Sequence, residues 1–170
     1  LGRPTRGSDA RVVAPDRERG DLPTGAPTPG DRGELVVRSR GSMTRYLDPE
    51  RTGVHDGWVY TGDVVAVDDA GLAFVGRTDD RIRSGGVNVY PAEVEGVLDA
   101  HPAVASSVVV GAPDDRWGER VCALVVAPDG VDADALDAHC RASDGLAEEL
   151  RPRDYTVVAS ADAVPTAALD

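Results

Sequence analysis

The chain has 170 residues, of which 41% are hydrophobic and 28% are charged, a composition typical of a globular protein with one ordinary domain or two small ones. Thirty acidic residues outweigh 18 basic ones, all of them Arg, and the formal net charge is −12. Residues 1–78 carry 11 Arg and 12 acidic residues, whereas residues 79–170 carry 7 Arg and 18 acidic residues. This balance argues against a nucleic-acid partner, because phosphate backbones bind basic surfaces.

The sequence also limits the cellular setting of the chain. No run approaches 18 apolar residues, so no membrane span is predicted. The first four residues lack the apolar core of a signal peptide and do not include Met, and we expect a piece of a longer polypeptide. Cys122 and Cys140 show no metal-ligand spacing, and we expect two buried thiols in a cytoplasmic protein without a metal site.

Residues 1–78 are predicted to form a small β subdomain. Strands are indicated at 11–14, 33–37 and 72–75, and residues 58–67 are expected to form a strand, a turn and a second strand. Residues 68–71 carry a hairpin signal, and the Pro- and Gly-rich stretch from 16 to 33 and residues 43–52 are expected to be loops. No long helix is predicted in this part of the chain.

Residues 79–170 are predicted to form a compact α+β domain. A hairpin over 81–89 bends at Gly85 and Gly86, and a helix begins at Pro91 and ends before Pro102. The apolar face of that helix carries Val94, Val97, Leu98 and His101. Strands are expected at 104–111, 120–127 and 155–159. A second helix is expected from the cap at Asp132 to about residue 142, with Val131 and Leu136 at staple positions, and a further helical turn at 145–150. The fold class is therefore α+β: a β subdomain, then a three-stranded sheet with helices on one face and a hairpin.

Two short motifs are candidates for nucleotide binding. Tyr60-Thr61-Gly62-Asp63 presents an acid after Gly, and a fixed carboxylate can accept two hydrogen bonds from a ribose diol, each contributing about 1.5–3 kcal/mol. The alternative is an ordinary turn acid. Arg77, in Gly76-Arg77-Thr78-Asp79, follows a strand end and is either a second nucleotide contact or a solvated edge residue.

Three further features are candidates for binding a ligand arm and its phosphates. Ser84-Gly85-Gly86 lets a ligand approach the backbone closely, although a tight hairpin alone would use the same residues. Trp117 next to Arg116 suits stacking on a base or covering a thiol arm, or is a surface clasp. Arg151 and Arg153 flank a proline and suit a phosphate grip, or are ordinary surface charge.

In their order and spacing, these motifs resemble those of the adenylate-forming superfamily, which contains acyl- and aryl-CoA synthetases, luciferases and the adenylation domains of peptide synthetases. The resemblance covers essentially the whole chain and rests on Gly33-Glu34-Leu35, residues 41–52, 58–63 and 76–79, and the pair Glu93 and Glu95. Residues 84–93 are similar to the acyl/aryl-CoA ligase branch. Trp117, Arg151 and Arg153 match CoA-contacting positions of ligases of the chlorobenzoate-CoA type.

The resemblance implies a two-step reaction that uses ATP, Mg²⁺ and CoA. A carboxylic acid reacts with ATP to give acyl-AMP and pyrophosphate, and the thiol of CoA then attacks the acyl-AMP. Asp63 and Arg77, with Tyr60 and Thr61, are implied to bind the nucleotide. The implied thioester loop consists of Ser84, Gly85, Gly86, Trp117, Arg151 and Arg153. Residues 1–78 correspond to the end of a large N-terminal domain, and residues 79–170 correspond to a mobile domain with its hinge at Asp79.

The resemblance also implies that important parts lie outside the sequence. Residues 164–170 are similar to a final motif that ends in a catalytic Lys, expected directly after Asp170, and the acyl pocket and phosphate loop are expected upstream. We therefore expect no catalytic residue in this chain and no activity without the remainder of the N-terminal domain. Two alternatives stay open: an adenylation domain that loads a carrier protein, and a non-catalytic module that retains the fold. Arg81, Arg116, Arg151 and Arg153 favour CoA phosphates over the carrier protein.

Overall fold

The computed structural model describes residues 6–14, 20–48, 50 and 52–163, and it divides into two compact units, Leu1–Asp79 and Asp80–Asp170. The strands of the first unit are β1 (Ser8–Val13), β2 (Arg32–Ser39), β3 (Val54–His55), β4 (Trp58–Asp68) and β5 (Gly71–Arg77). The elements of the second unit are β6 (Ile82–Ser84), β7 (Val87–Val89), α1 (Pro91–Asp99), β8 (Ser106–Asp114), β9 (Gly118–Val126), α2 (Ala133–Ala142) and β10 (Asp154–Val158). Short 3₁₀ turns lie at Glu148–Leu150 and Ala161–Ala163.

The first unit is one antiparallel sheet built around β4. Strand β4 pairs with β2 along one edge and with β3 and β5 along the other, and β1 extends the sheet beyond β2. Its buried cluster contains Val13, Val36, Trp58 and Tyr60. Arg38 lies over the Trp58 ring, with its Cζ atom 4.4 Å from the ring centroid, so one face of this aromatic side chain is covered by a cation.

Strand β4 corrects one expectation. The sequence predicts a turn at Tyr60-Thr61-Gly62-Asp63, but β4 runs without interruption for 11 residues through these positions. Instead of a turn, the pairing with β2 contains a bulge, because the register moves from Glu34 opposite Val64 to Val36 opposite Tyr60. Residues 61–63 therefore face Leu35 alone, and the extra residues are accommodated by the backbone of Gly62, whose φ is +75°.

The second unit is a mixed sheet centred on β9. Strand β8 pairs antiparallel with β9 over its whole length, and β10 pairs parallel with residues 122–126 on the other edge. The β6–β7 hairpin joins the same sheet through the single pair Ser84 and Gly118. The predicted three strands and hairpin are therefore confirmed, and so is the α+β fold class.

One face of this second sheet is covered by the two helices. Val121, Ala123 and Val125 alternate along β9 and lie in one cluster with residues of both helices. The helical members of that cluster are Val94 and Leu98 from α1 and Leu136 and Cys140 from α2. The opposite face carries Val108 and Val110, which are partly exposed. Burying the helical faces against β9 is what holds the short helices in place, because isolated helices of 9 or 10 residues are marginal in water.

Both helices begin where the sequence predicts, but the predicted cap of α2 forms no side-chain hydrogen bond. Helix α1 begins at Pro91, as predicted, and ends at Asp99. Asp132 stands at the N-cap of α2 with an extended backbone, but its side chain makes no capping hydrogen bond.

Cys140 is fully buried, whereas Cys122 is half-buried. Among the described residues, no helix is long and apolar enough to cross a bilayer.

Candidate functional site

The bulge in the middle of β4 brings an acid next to an arginine at the end of β5. Asp63 of β4 is directly opposite Arg77 of β5, and Arg77 Nη1 donates to Asp63 Oδ1 over 2.7 Å. Both side chains are accessible, with 31% of the Asp63 side chain and 48% of the Arg77 side chain exposed. The pair thus offers a carboxylate and a guanidinium to solvent on one surface of the first unit.

The backbone around Asp63 is fixed by hydrogen bonds from both sides. The Gly62 N–H donates to Glu34 Oε1 over 3.0 Å, and the Thr78 N–H donates to the Gly62 carbonyl over 2.8 Å. A Cβ atom on Gly62 would lie 2.9 Å from Arg77 Nη2, so a larger residue at this position would have to displace the guanidinium. The direction of the Asp63 side chain is therefore determined by its neighbours before a ligand binds.

Tyr60 and Thr61, which the sequence groups with the nucleotide contacts, support this backbone from within. Tyr60 is 5% exposed, and its hydroxyl accepts the Gly20 N–H over 2.8 Å. The Thr61 hydroxyl donates to the Leu35 carbonyl over 2.8 Å and accepts the Asp63 N–H over 3.1 Å. The Tyr60 hydroxyl is thus engaged by the segment at Gly20 and the Thr61 hydroxyl by the bulge, and Asp63 and Arg77 are the more accessible members of the predicted group.

The glycine loop of the second unit packs against Trp117. The Gly85 N–H donates to the Trp117 carbonyl over 2.8 Å, and a Cβ atom on Gly85 would lie 2.6 Å from Trp117 Cε3. Gly85 has a φ of +59° and Gly86 a φ of +84°, but a Cβ on Gly86 would meet nothing within 4 Å. Ser84 is buried at the base of this loop. The first glycine is thus required by the ring, and the second leaves the outer side of the loop open.

Two arginines lie over the ring of Trp117. Arg116 Cζ is 4.8 Å and Arg153 Cζ is 4.7 Å from the ring centroid. The backbone of Arg153 is anchored to the sheet, because its N–H donates to the Val121 carbonyl over 2.8 Å. Arg153 is exposed, so the second unit presents an aromatic ring and accessible positive charge beside the glycine loop.

The turn that carries Trp117 depends on one carboxylate. Asp114 Oδ1 accepts the Arg116 N–H over 2.9 Å and the Trp117 N–H over 3.0 Å. These two hydrogen bonds lower the pKa of Asp114, and the positive charges of Arg120 and Arg116 lower it further. The ionised form of Asp114 therefore holds the turn at neutral pH.

Arg151 is placed differently from Arg153. Its side chain is only 6% exposed, and its guanidinium donates to Asp137 Oδ1 and, over 3.1 Å, to Glu148 Oε1. Hydrogen bonding to Arg141 lowers the pKa of Asp137, and the charge of Arg151 adds to this effect. The sequence pairs Arg151 with Arg153 as a phosphate grip, whereas the structure engages Arg151 with two carboxylates of its own fold. Arg151 also lines an open depression of about 390 Å³, together with Arg141 and Arg153.

Three predicted features remain: the hinge residue Asp79, the motif at 164–170 and the absence of a metal site. Asp79 is exposed and is the last residue of the first unit. The motif at 164–170 lies outside the described residues, and so does the position after it. Among the residues that the structure describes, no group of three or more His, Cys, Asp or Glu side chains could hold a metal ion.

Several carboxylates that organise these surfaces were not predicted from the sequence. Glu34 lies 28 positions before Gly62 and Asp137 lies 14 positions before Arg151, so neither partnership has a local sequence signal. Asp114 had such a signal, since an Asp that precedes Arg116 and Trp117 by two and three residues is the usual arrangement of an Asx turn.

Comparisons with known proteins agree with the motifs. Residues 93–167 match the AMP-binding enzyme C-terminal domain family. The chain is 41% identical over 168 residues to a fatty acid–[acyl-carrier-protein] ligase from Streptomyces coeruleorubidus, covering 96% of this chain and 30% of that protein. It is 46% identical over 144 residues to a 4-chlorobenzoate–CoA ligase from an Arthrobacter species, covering 81% of this chain and 27% of that protein.

Solved structures give the same result. The o-succinylbenzoate-CoA synthetase of Bacillus subtilis, in complex with its acyl-adenylate intermediate, matches with a TM-score of 0.77 and 33% identity over 92% of this chain and 31% of that one. An amide bond synthetase from Marinactinospora thermotolerans matches with a TM-score of 0.75 and 38% identity over 94% of this chain and 32% of that one. The chain thus spans about 30% of the length of the curated relatives it matches.

Proposed function

We propose that the chain is part of an AMP-forming acid–thiol ligase, because residues 93–167 match the AMP-binding enzyme C-terminal domain family. The reaction joins a carboxylic acid to ATP, forming acyl-AMP and pyrophosphate, and then transfers the acyl group to the thiol of CoA with release of AMP. The observation that carries the proposal is the accessible pair of Asp63 and Arg77, fixed side by side at a bulge. Relatives that match 81% and 70% of the chain are named as a 4-chlorobenzoate–CoA ligase and a feruloyl-CoA synthase.

In the first step, Asp63 and Arg77 bind the nucleotide. Arg77 engages Asp63 Oδ1, and the carboxylate is oriented so that its other oxygen can accept hydrogen bonds from a ribose diol. Arg77 carries further N–H donors that suit the ribose or phosphate oxygens. Since the pair binds a part of ATP that stays in acyl-AMP, it stabilises the nucleotide in both steps. Binding that is equal in ground state and transition state lowers KM more than it raises kcat.

In the second step, the glycine loop and Trp117 guide the thiol arm of CoA. The open outer side of Gly86 lets an extended chain approach the backbone, and the ring of Trp117 closes one side of the loop. Arg116 and Arg153 lie over the same ring and are available for the phosphates of CoA. We assign Arg151 the task of anchoring the segment that carries Arg153, because its guanidinium is engaged by Asp137 and Glu148.

A hinge after Asp79 is part of the same proposal. The boundary between the two compact units falls between Asp79 and Asp80, which supports a pivot at this point. A single catalytic site that promotes two different reactions benefits from a domain that changes position between them.

A carrier protein is the second candidate acceptor. It is favoured by the 41% identity to a ligase named for an acyl-carrier-protein product. Both acceptors present a thiol on a phosphate-bearing arm, so the first step of the reaction is the same for either one.

The test uses the intact protein that carries this chain. Pyrophosphate exchange into ATP is measured with a panel of aliphatic and aromatic carboxylic acids, and products with CoA or a purified carrier protein are identified by mass spectrometry. We expect exchange with at least one acid and thioester formation with CoA. If the folded protein supported pyrophosphate exchange with none of the acids, the proposal would be wrong. Acyl transfer to the carrier protein and not to CoA would establish the second candidate. Asp63→Asn should weaken AMP binding, and Asp69→Asn in the turn between β4 and β5, away from the bulge, serves as a control.

A further inference from the structure

The bulge in β4 is out of step with the hydrogen-bonding ladder of β2. Three residues, Thr61 to Asp63, face the single residue Leu35, so β2 supplies fewer carbonyl groups than the bulge has donors. The side chain of Glu34 fills this gap, because its Oε1 atom accepts the Gly62 N–H over 3.0 Å.

The position of the Gly62 peptide determines how the Asp63 and Arg77 side chains are placed relative to each other. Gly62 occupies the left-handed region at a φ of +75°, and its carbonyl accepts the Thr78 N–H from beyond β5. Arg77 Nη2 lies within 2.9 Å of the place where a Cβ on Gly62 would be. A shift of this peptide would therefore move the Asp63 carboxylate and the guanidinium with respect to each other.

We propose that Glu34 is a positioning residue for nucleotide binding, acting on Asp63 through the Gly62 N–H. The inference rests on the proposed function of the Asp63–Arg77 pair and assigns the orientation of that pair to a residue on a different strand. Glu34 holds the bulge with one carboxyl oxygen and needs no contact with the nucleotide. Because the hydrogen bond requires an acceptor oxygen and not a negative charge, glutamine satisfies the same requirement.

Three variants of the intact protein show whether Glu34 positions the Asp63–Arg77 pair or only stabilises the sheet. Glu34→Ala removes the acceptor, and Glu34→Gln retains a carbonyl oxygen at the same reach. Asp68→Ala is the matched control, because Asp68 Oδ1 also accepts backbone N–H groups, those of Ala70 and Gly71, at the far end of the same strand. Each variant is compared by thermal unfolding, by calorimetric titration with AMP and by the kinetics of pyrophosphate exchange.

We expect Glu34→Ala to raise the KM for ATP and the Kd for AMP about tenfold, which corresponds to the loss of one hydrogen bond, with a smaller change in kcat. Glu34→Gln should stay within about twofold of the unaltered protein, and so should Asp68→Ala even where its unfolding temperature falls. Equal losses for Glu34→Gln and Glu34→Ala, or an equal rise in KM for Asp68→Ala, would overturn the inference.

Hydrogen exchange gives a readout that is independent of activity. The amides of residues 61–63 should exchange faster in Glu34→Ala and at the normal rate in Glu34→Gln, while the amides of β8 are unchanged. Unchanged exchange in Glu34→Ala would overturn the role of Glu34 even in an active enzyme. If the unaltered protein binds no nucleotide, the proposed function fails, while exchange at residues 61–63 still decides whether Glu34 holds the bulge.

Discussion

Gly85 packs against the ring of Trp117 and leaves no room for a side chain. A methyl group at Gly85 would meet Trp117 Cε3 at 2.6 Å, so Gly85→Ala must displace the ring or the loop. We expect thioester formation from preformed acyl-AMP to slow about 10- to 100-fold in the intact enzyme, because small misplacements near the reacting groups are costly. Pyrophosphate exchange, which belongs to the first step, should be nearly unchanged. Single-turnover kinetics of the two steps measure the difference.

Gly86→Ala is the matched comparison for Gly85→Ala. Both glycines have positive φ angles, so alanine carries a backbone cost of about 1–2 kcal/mol at either position. Only Gly85 faces Trp117, since a Cβ on Gly86 meets nothing within 4 Å. If the two variants slowed thioester formation equally, the effect would belong to the backbone and the contact with the ring would have no separate role.

Arg151 and Arg153 are expected to behave in opposite ways when each is replaced by Gln. Arg151→Gln removes a buried guanidinium from Asp137 and Glu148 and should lower the free energy of unfolding by about 1–3 kcal/mol. Arg153→Gln removes an exposed cation from the face of Trp117 and should raise the KM for CoA about five- to tenfold with little loss of stability. Chemical denaturation and initial-rate kinetics measure the two effects. A raised KM for CoA in a fully stable Arg151→Gln would instead support the phosphate contact that the sequence predicts.

At the scale of single elements, the bulge shows what local sequence cannot determine. Thr61-Gly62-Asp63 consists of residues typical of turns, and a strand–turn–strand interpretation follows from them. The alternative, a bulge inside a continuous strand, depends on the acceptor supplied by Glu34 and on the pairing of Asp63 with Arg77. Both partners lie far away in sequence. The β6–β7 hairpin and the start of α1, by contrast, depend on neighbouring Gly and Pro residues and were predicted correctly.

The turn between β8 and β9 is expected to loosen in acid. Backbone hydrogen bonds from Arg116 and Trp117 lower the pKa of Asp114, so its folded pKa lies below the unfolded value near about 3.9. The stabilisation is fully present above the unfolded value and is lost as the pH falls through the folded one. Amide exchange at residues 116 and 117, corrected for its intrinsic pH dependence, should therefore lose protection below about pH 4. Asp114→Asn should abolish this step, and an unchanged pH profile in that variant would assign the transition to another group.

At the scale of the whole molecule, the order of the motifs was more informative than any one of them. Each motif alone allows an ordinary structural interpretation, but together they predicted an adenylate-forming relative, which the match of residues 93–167 and the curated ligases confirm. The burial of Arg151 was not predictable, because it depends on Asp137, which the packing of α2 brings near. Asp63 and Arg153 stay predictions as site residues, and both side chains are accessible in the structure.

The division into two units after Asp79 leads to a prediction for the intact enzyme. Asp79→Pro fixes φ at this residue and restricts the backbone of Thr78, which should hinder rotation of the second unit about the proposed hinge. We expect pyrophosphate exchange to be largely retained and thioester formation to be blocked, because only the second step requires the domain to change position. Asp79→Ala removes the same carboxylate without fixing the backbone and should retain both steps. Equal rates of both steps in Asp79→Pro would place the hinge elsewhere, whereas equal damage by Asp79→Ala would assign the effect to the carboxylate.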